Sequence, residues 1–117
     1  MKLDISESDA KTLDDARAAW GGRHGGYRII MAECAEVIAE LCKLQRIETG
    51  EVRGDELETR ELVADELGDL LVVLCQACRM FGLELIEIKA RQKMERLASR
   101  VNTYREEAVW NTKSFYD

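Results

Sequence analysis

The sequence contains no proline, and only 6% of its residues are aromatic. Proline breaks helix interiors, so its absence leaves long helices uninterrupted. Strand-like alternation of apolar and polar side chains is also missing, which argues against a sheet. There is one histidine, His24. A di-iron carboxylate bundle needs E-x-x-H on two of its helices, and one histidine cannot supply them. Long apolar runs are absent: the longest, Leu70 to Cys75, is far too short to span a bilayer. The opening "MKLDISESDA" has no apolar stretch of the signal-peptide kind, so no signal peptide is expected. Positive charge is not in excess either. The formal net charge is −6, whereas a dedicated nucleic-acid binder is ordinarily basic. Neither nucleic acid nor a membrane is an expected partner.

Cysteine is present but not in a zinc pattern. Cys75 and Cys78 make one C-x-x-C with no second pair, and Cys34 and Cys42 are not at zinc-ligand spacing. We read all four as reduced, buried, small hydrophobes inside helices. The expected compartment is the cytoplasm.

What remains is helix-forming. The 117 residues are 46% hydrophobic and 34% charged, rich in Ala, Leu, Glu, Lys and Arg. The expectation is one all-α domain, 1–117, with helices at about 8–20, 27–46, 57–81 and 83–108. Ser6, Ser8 or Asp9 would cap the first. "GGRHGG" (21–26) should break the chain before the second helix and leave His24 in a loop. "ETGEVRGDE" (48–56) reads as a loop, Gly82 as a C-cap, and the closing "WNTKSFYD" as a loosely held tail.

The two central helices carry charge where little is expected. In "MAECAEVIAE" (31–40), Glu33, Glu36 and Glu40 line one side of a helix. Its stripe of Ile30, Cys34, Val37, Ile38, Leu41 and Leu44 is apolar, and the face opposite is Ala32, Ala35, Ala39 and Cys42. A helix apolar or small nearly all round is expected to be buried. "VADELGDLLVVLCQAC" (63–78) repeats the design, interrupted by Asp65, Glu66, Asp69 and Gln76. Gly68 sits between Glu66 and Asp69, where a small residue permits close approach. A single E-x-x-E is most often a solvated face. Two such pairs in otherwise apolar helices are different, because unpaired buried carboxylates cost several kcal/mol or take up protons. A divalent cation removes the conflict, and carboxylate oxygens suit Mg²⁺ or Mn²⁺. On adjacent antiparallel helices the two pairs would converge. Glu40 would either join them or pair with Lys43.

The fourth helix sorts its charges by side. Lys89, Lys93, Arg96 and Arg100 flank one shoulder of the apolar stripe, and Glu84, Glu87 and Glu95 the other. Alone this reads as a solvated helix. Beside a carboxylate–metal site, a Lys/Arg wall is what a polyphosphate needs.

"ECAE" (33–36), "ELGD" (66–69) and "KARQKMERL" (89–97), in that order, resemble the MazG-like all-α nucleoside triphosphate pyrophosphohydrolases. The resemblance covers about residues 20–100. It implies a four-helix MazG-like bundle completed by oligomerisation, as a homodimer or homotetramer. It implies a nucleoside triphosphate substrate cleaved between the α- and β-phosphates to a monophosphate and pyrophosphate. Glu33, Glu36, Glu66 and Asp69 would hold Mg²⁺, with Mn²⁺ as the alternative ion. Glu33 or Glu36 would orient the attacking water. Lys89, Lys93 and Arg96 match the family's phosphate-binding segment. Trp20, His24 and Tyr27 are base-binding candidates by position. Two features depart from the pattern: Ala32 stands where many members carry another glutamate, and the spacer between the acidic motifs is long. The rival readings are a non-catalytic helical module that binds nucleotide, metal or protein, and a structural bundle with its carboxylates at a wet subunit interface.

Overall fold

A computed structural model describes residues 4–106. Every regular element among them is helical, and they are α1 (Glu7–Ala19), α2 (Gly22–Glu48), α3 (Glu56–Phe81) and α4 (Leu83–Glu106). The tail "WNTKSFYD" lies outside the described residues.

The helix starts follow from capping chemistry. Ser6 caps α1: its Oγ accepts the Asp9 N–H at 3.0 Å. Asp55 caps α3 in the same way, accepting the Glu58 N–H at 3.0 Å. Each cap satisfies an amide that the first helical turn leaves free, and is worth about 1 kcal/mol. Gly82, at φ 95°, ends α3 in a backbone conformation that side-chain-bearing residues avoid.

The start of α2 differs from expectation. The helix begins at Gly22, so His24, Gly25 and Gly26 are helical and His24 is not in a loop. Of the four glycines in 21–26, Gly21 and Gly22 use positive φ, 99° and 73°. Gly25 and Gly26 are buried for a different reason. A Cβ on Gly25 would lie 1.9 Å from the Trp20 carbonyl oxygen, and one on Gly26 would lie 2.9 Å from the Met80 sulfur. These glycines let other backbone and side chains come close; they do not end a helix.

The chain falls into two compact units. The first, Asp4–Gly82, holds α1, α2 and α3. Within it α2 and α3 are antiparallel. Tyr27 near the start of α2 stacks on Phe81 at the end of α3, and Arg60 near the start of α3 reaches Glu48 at the end of α2 (3.6 Å). α1 packs against both. Its Asp14 receives two hydrogen bonds from the Arg79 guanidinium of α3, at 2.8 and 3.2 Å. The core is small: Leu13 of α1, Val37 of α2, and Val63, Val73, Ala77 and Cys78 of α3.

Much that the sequence assigns to the interior is at the surface. Met31 and Ile38 of α2 are 63% and 61% exposed, and Leu41, Leu67, Leu71 and Leu74 are exposed too. Of the cysteines only Cys78 is buried. Cys34 and Cys75 are half-buried, Cys42 is exposed, and none of the four is in a disulfide. One stripe of each long helix is enough to build a three-helix contact, so the remaining apolar sides stay uncovered.

The second unit contributes α4. None of its residues is buried, and Leu85, Ile88, Met94 and Leu97 on it are exposed. No helix among the described residues is long and apolar enough to cross a membrane.

Candidate metal and anion sites

Midway along the α2–α3 pair, the antiparallel register sets the "ECAE" turn against the "ELGD" turn. Glu33, Glu66 and Asp69 each offer an oxygen within 4.8 Å of the other two. Glu36 is near enough to both Glu33 and Glu66 to raise their pKa values. All four carboxylates singled out by spacing therefore come together. Glu33 and Glu66 are half-buried, and each turns one oxygen, Oε2, inward with no hydrogen-bond partner. Glu36 and Asp69 are exposed. Among the described residues nothing lies within 4 Å of where a Cβ on Gly68 would stand, so none of them needs the glycine for close approach.

The electrostatics follow from that crowding. Desolvation pushes the Glu33 carboxyl above the usual range, and the neighbouring Glu36 and Asp69 add to the shift. Glu66 is raised in the same way, by desolvation first and then by Glu36, Asp69 and Glu33. A half-buried site that holds four acids and drives up two of their pKa values has three outlets: take up protons, admit water, or bind a cation. Its donors are all hard oxygens, the set that suits Mg²⁺ or Mn²⁺. Glu40, one turn further along α2, also turns Oε2 inward without a partner, and it makes no ion pair with Lys43.

The aromatic candidates lie toward the start of α2. His24 stacks on Tyr27 (centroids 5.7 Å apart) and Tyr27 on Phe81 (5.8 Å). At about 1.5 Å per residue, Tyr27 and His24 are about 9 and 14 Å from Glu33 along the axis. Trp20 closes α1 as its C-cap and is 38% exposed. Lys89, Lys93 and Arg96 stand exposed on α4, in the unit that does not carry the carboxylates.

Three features escaped sequence reasoning. Phe81 extends the aromatic stack, which only the α2–α3 register reveals. By sequence Gln76 reads merely as a polar break in α3. It is 1% exposed, the most deeply buried side chain of its size, and neither its Oε1 nor its Nε2 has a partner. The third is a cavity of about 230 Å³ lined by Arg17, Arg23, Arg79 and Met80. Its arginines come from three helices and share no sequence spacing.

No protein-family model matches the chain, and no curated protein or solved structure matches it either.

Proposed function

We propose that the protein is a Mg²⁺-dependent nucleoside triphosphate pyrophosphohydrolase of the MazG-like type, releasing a nucleoside monophosphate and pyrophosphate. One observation carries the reading. The Glu33, Glu66 and Asp69 oxygens converge within 4.8 Å, and two of the glutamates keep a buried oxygen without a partner. Glu33, Glu36, Glu66 and Asp69 would hold the ion, with Mn²⁺ as the alternative. When bound, a divalent ion offsets the triphosphate's charge and makes water a better nucleophile at neutral pH.

The chain's own residues then have distinct tasks. Glu33 or Glu36 accepts the proton of a water aimed at the α-phosphorus and holds it in line. The exposed sides of Glu36 and Asp69 leave the cluster open to a ligand from solvent. The His24–Tyr27–Phe81 stack offers an aromatic surface for a base, built on the same two helices as the acids. Lys89, Lys93 and Arg96 enter as the phosphate-binding segment from the sequence resemblance alone. The uncovered apolar side chains of α2 and α3, Met31, Ile38, Leu67 and Leu71 among them, favour a homodimer or homotetramer in which bundle packing is completed by other copies. Four cysteines without a disulfide suit a reducing compartment such as the cytoplasm.

Product analysis tests the reaction. A panel of NTPs and dNTPs is incubated with the full chain, with and without Mg²⁺, and the products are resolved by chromatography. Monophosphate plus pyrophosphate, formed only with the metal, is the expected result. Diphosphate plus phosphate would place the chemistry in another class. A folded protein that turns over no nucleotide with Mg²⁺ or Mn²⁺ would favour the non-catalytic binding module.

A further inference from the structure

The arginine-lined cavity at the α1–α2 corner lies outside the carboxylate site and has no part in the proposed reaction. We propose that it is a second, independent site that binds a phosphate dianion. Arg17 comes from the last turn of α1, Arg23 from the first turn of α2 and Arg79 from the last turn of α3, with Met80 alongside. Three arginines line one open depression of about 230 Å³, and their like charges repel one another. Only part of that charge is matched by the chain. Asp14 bridges Arg79 (2.8 and 3.2 Å) and Arg17 (3.4 Å). Arg23 is exposed and forms no ion pair among the described residues. Three positive charges against one carboxylate leave an excess of two, in a protein whose formal net charge is −6. That excess matches a dianion rather than a monocarboxylate.

The geometry suits the same ligand. Guanidinium forks match phosphate oxygens in paired hydrogen bonds. The volume is below the roughly 300–1,000 Å³ of pockets that enclose drug-sized molecules. It therefore fits a small anion, or the phosphate end of a larger one. The adjoining helix start favours negative charge as well. Its first turn contains no acidic residue, and the N-cap, Gly21, has no side chain to satisfy the free amides.

Thermal shift on the full chain, in EDTA and at low ionic strength, separates this site from the carboxylate cluster. The probes are inorganic phosphate, pyrophosphate and a non-hydrolysable nucleoside triphosphate, each against sodium chloride of equal ionic strength. A saturable rise in Tm is expected. Arg23→Gln, at an exposed position without an ion pair, should fold normally and weaken binding at least about tenfold, as the loss of one charge-assisted contact would. Glu66→Gln should leave phosphate binding unchanged. If phosphate and pyrophosphate respond as strongly as the nucleotide, the occupant is the free anion; if the nucleotide is much the stronger through Arg23, the occupant is a nucleotide's phosphate. Either supports the site. The absence of a saturable response to all three probes, or a response that Arg23→Gln and Arg79→Lys both leave intact, would overturn it. Because metal is excluded, these outcomes hold whether or not the chain hydrolyses nucleotides.

Discussion

Two charged clusters of opposite sign lie in one three-helix unit, and they handle like-charge crowding differently. At mid-helix, Glu33, Glu36, Glu66 and Asp69 meet with no basic side chain among the groups that shift the Glu33 and Glu66 pKa values. At the α1–α2 corner, Arg17 and Arg79 share Asp14, so the chain supplies part of its own counter-charge. The difference bears on what each place is for. A salt bridge that fixes helices together can neutralise itself. A cluster that does not must take its counter-charge from solution, as a proton or a cation, and its stability is then tied to that ligand.

Breaking the acidic side should give the largest effect. Glu66→Gln removes one negative charge and leaves an amide that can donate toward Glu36. Mg²⁺-dependent hydrolysis should fall by about 100-fold or more, the scale seen when a metal-site or charge-stabilising group is lost. Metal-free stability should move the other way and rise. The pH dependence has a definite sign. Glu33 and Glu66 have folded pKa values above their unfolded ones. The stabilising effect of their protonation is full below the unfolded carboxylate pKa and is lost as pH rises through the raised folded values. In EDTA, Tm should therefore fall across that window, and Mg²⁺ should restore it at neutral pH. A Glu66→Gln protein with full activity and an unchanged Tm profile would mean that the cluster is an ordinary wet surface.

The next effect belongs to a residue of neither cluster. Gln76 has no partner for either amide atom at 1% exposure. An unsatisfied buried polar group costs about 1–3 kcal/mol. Gln76→Met keeps the length of the side chain and removes both orphaned atoms, so urea unfolding should give about 1–2 kcal/mol of added stability. A loss of stability instead would mean that the amide has a partner in solution, and the question would become which one.

Legibility in the sequence follows from how many elements a feature needs. The carboxylate quartet was readable because i, i+3 spacing puts each pair on one helix face, and two such faces need only an antiparallel neighbour to meet. The helix boundaries near Ser6 and Gly82 were readable from local cap chemistry. The start of α2 was not. Gly25 is required by the carbonyl of Trp20 on the preceding turn and Gly26 by Met80 on another helix, and glycine looks the same in sequence whether it breaks a helix or makes room. The apolar stripe through Ile38 and Leu41 reads in sequence as a buried face, and within this chain it is exposed. Periodicity gives a face without saying which molecule covers it. The arginine cavity was illegible because each of its three helices contributes a single arginine at its end.

The smallest effect sharpens the comparison most, since it turns the basic cluster into a counterpart of the acidic one. Asp14 is held below the usual carboxylate range, chiefly by its hydrogen bond to Arg79. Its contribution to stability is present above the unfolded pKa and is lost as pH falls through the depressed folded value. That is the opposite sense to Glu33 and Glu66. Asp14→Asn should lower Tm by a few degrees at most, because the pair is largely solvent-screened. That loss should vanish at strongly acid pH, where the wild-type carboxyl is protonated too. The same substitution raises the cavity's excess from two positive charges to three, so phosphate should bind more tightly as the fold weakens slightly. Thermal melts with and without phosphate read both quantities in one experiment. If Asp14→Asn instead weakens phosphate binding along with stability, Asp14 is a positioning residue that holds Arg17 and Arg79 in place, and the excess charge is not what draws the anion.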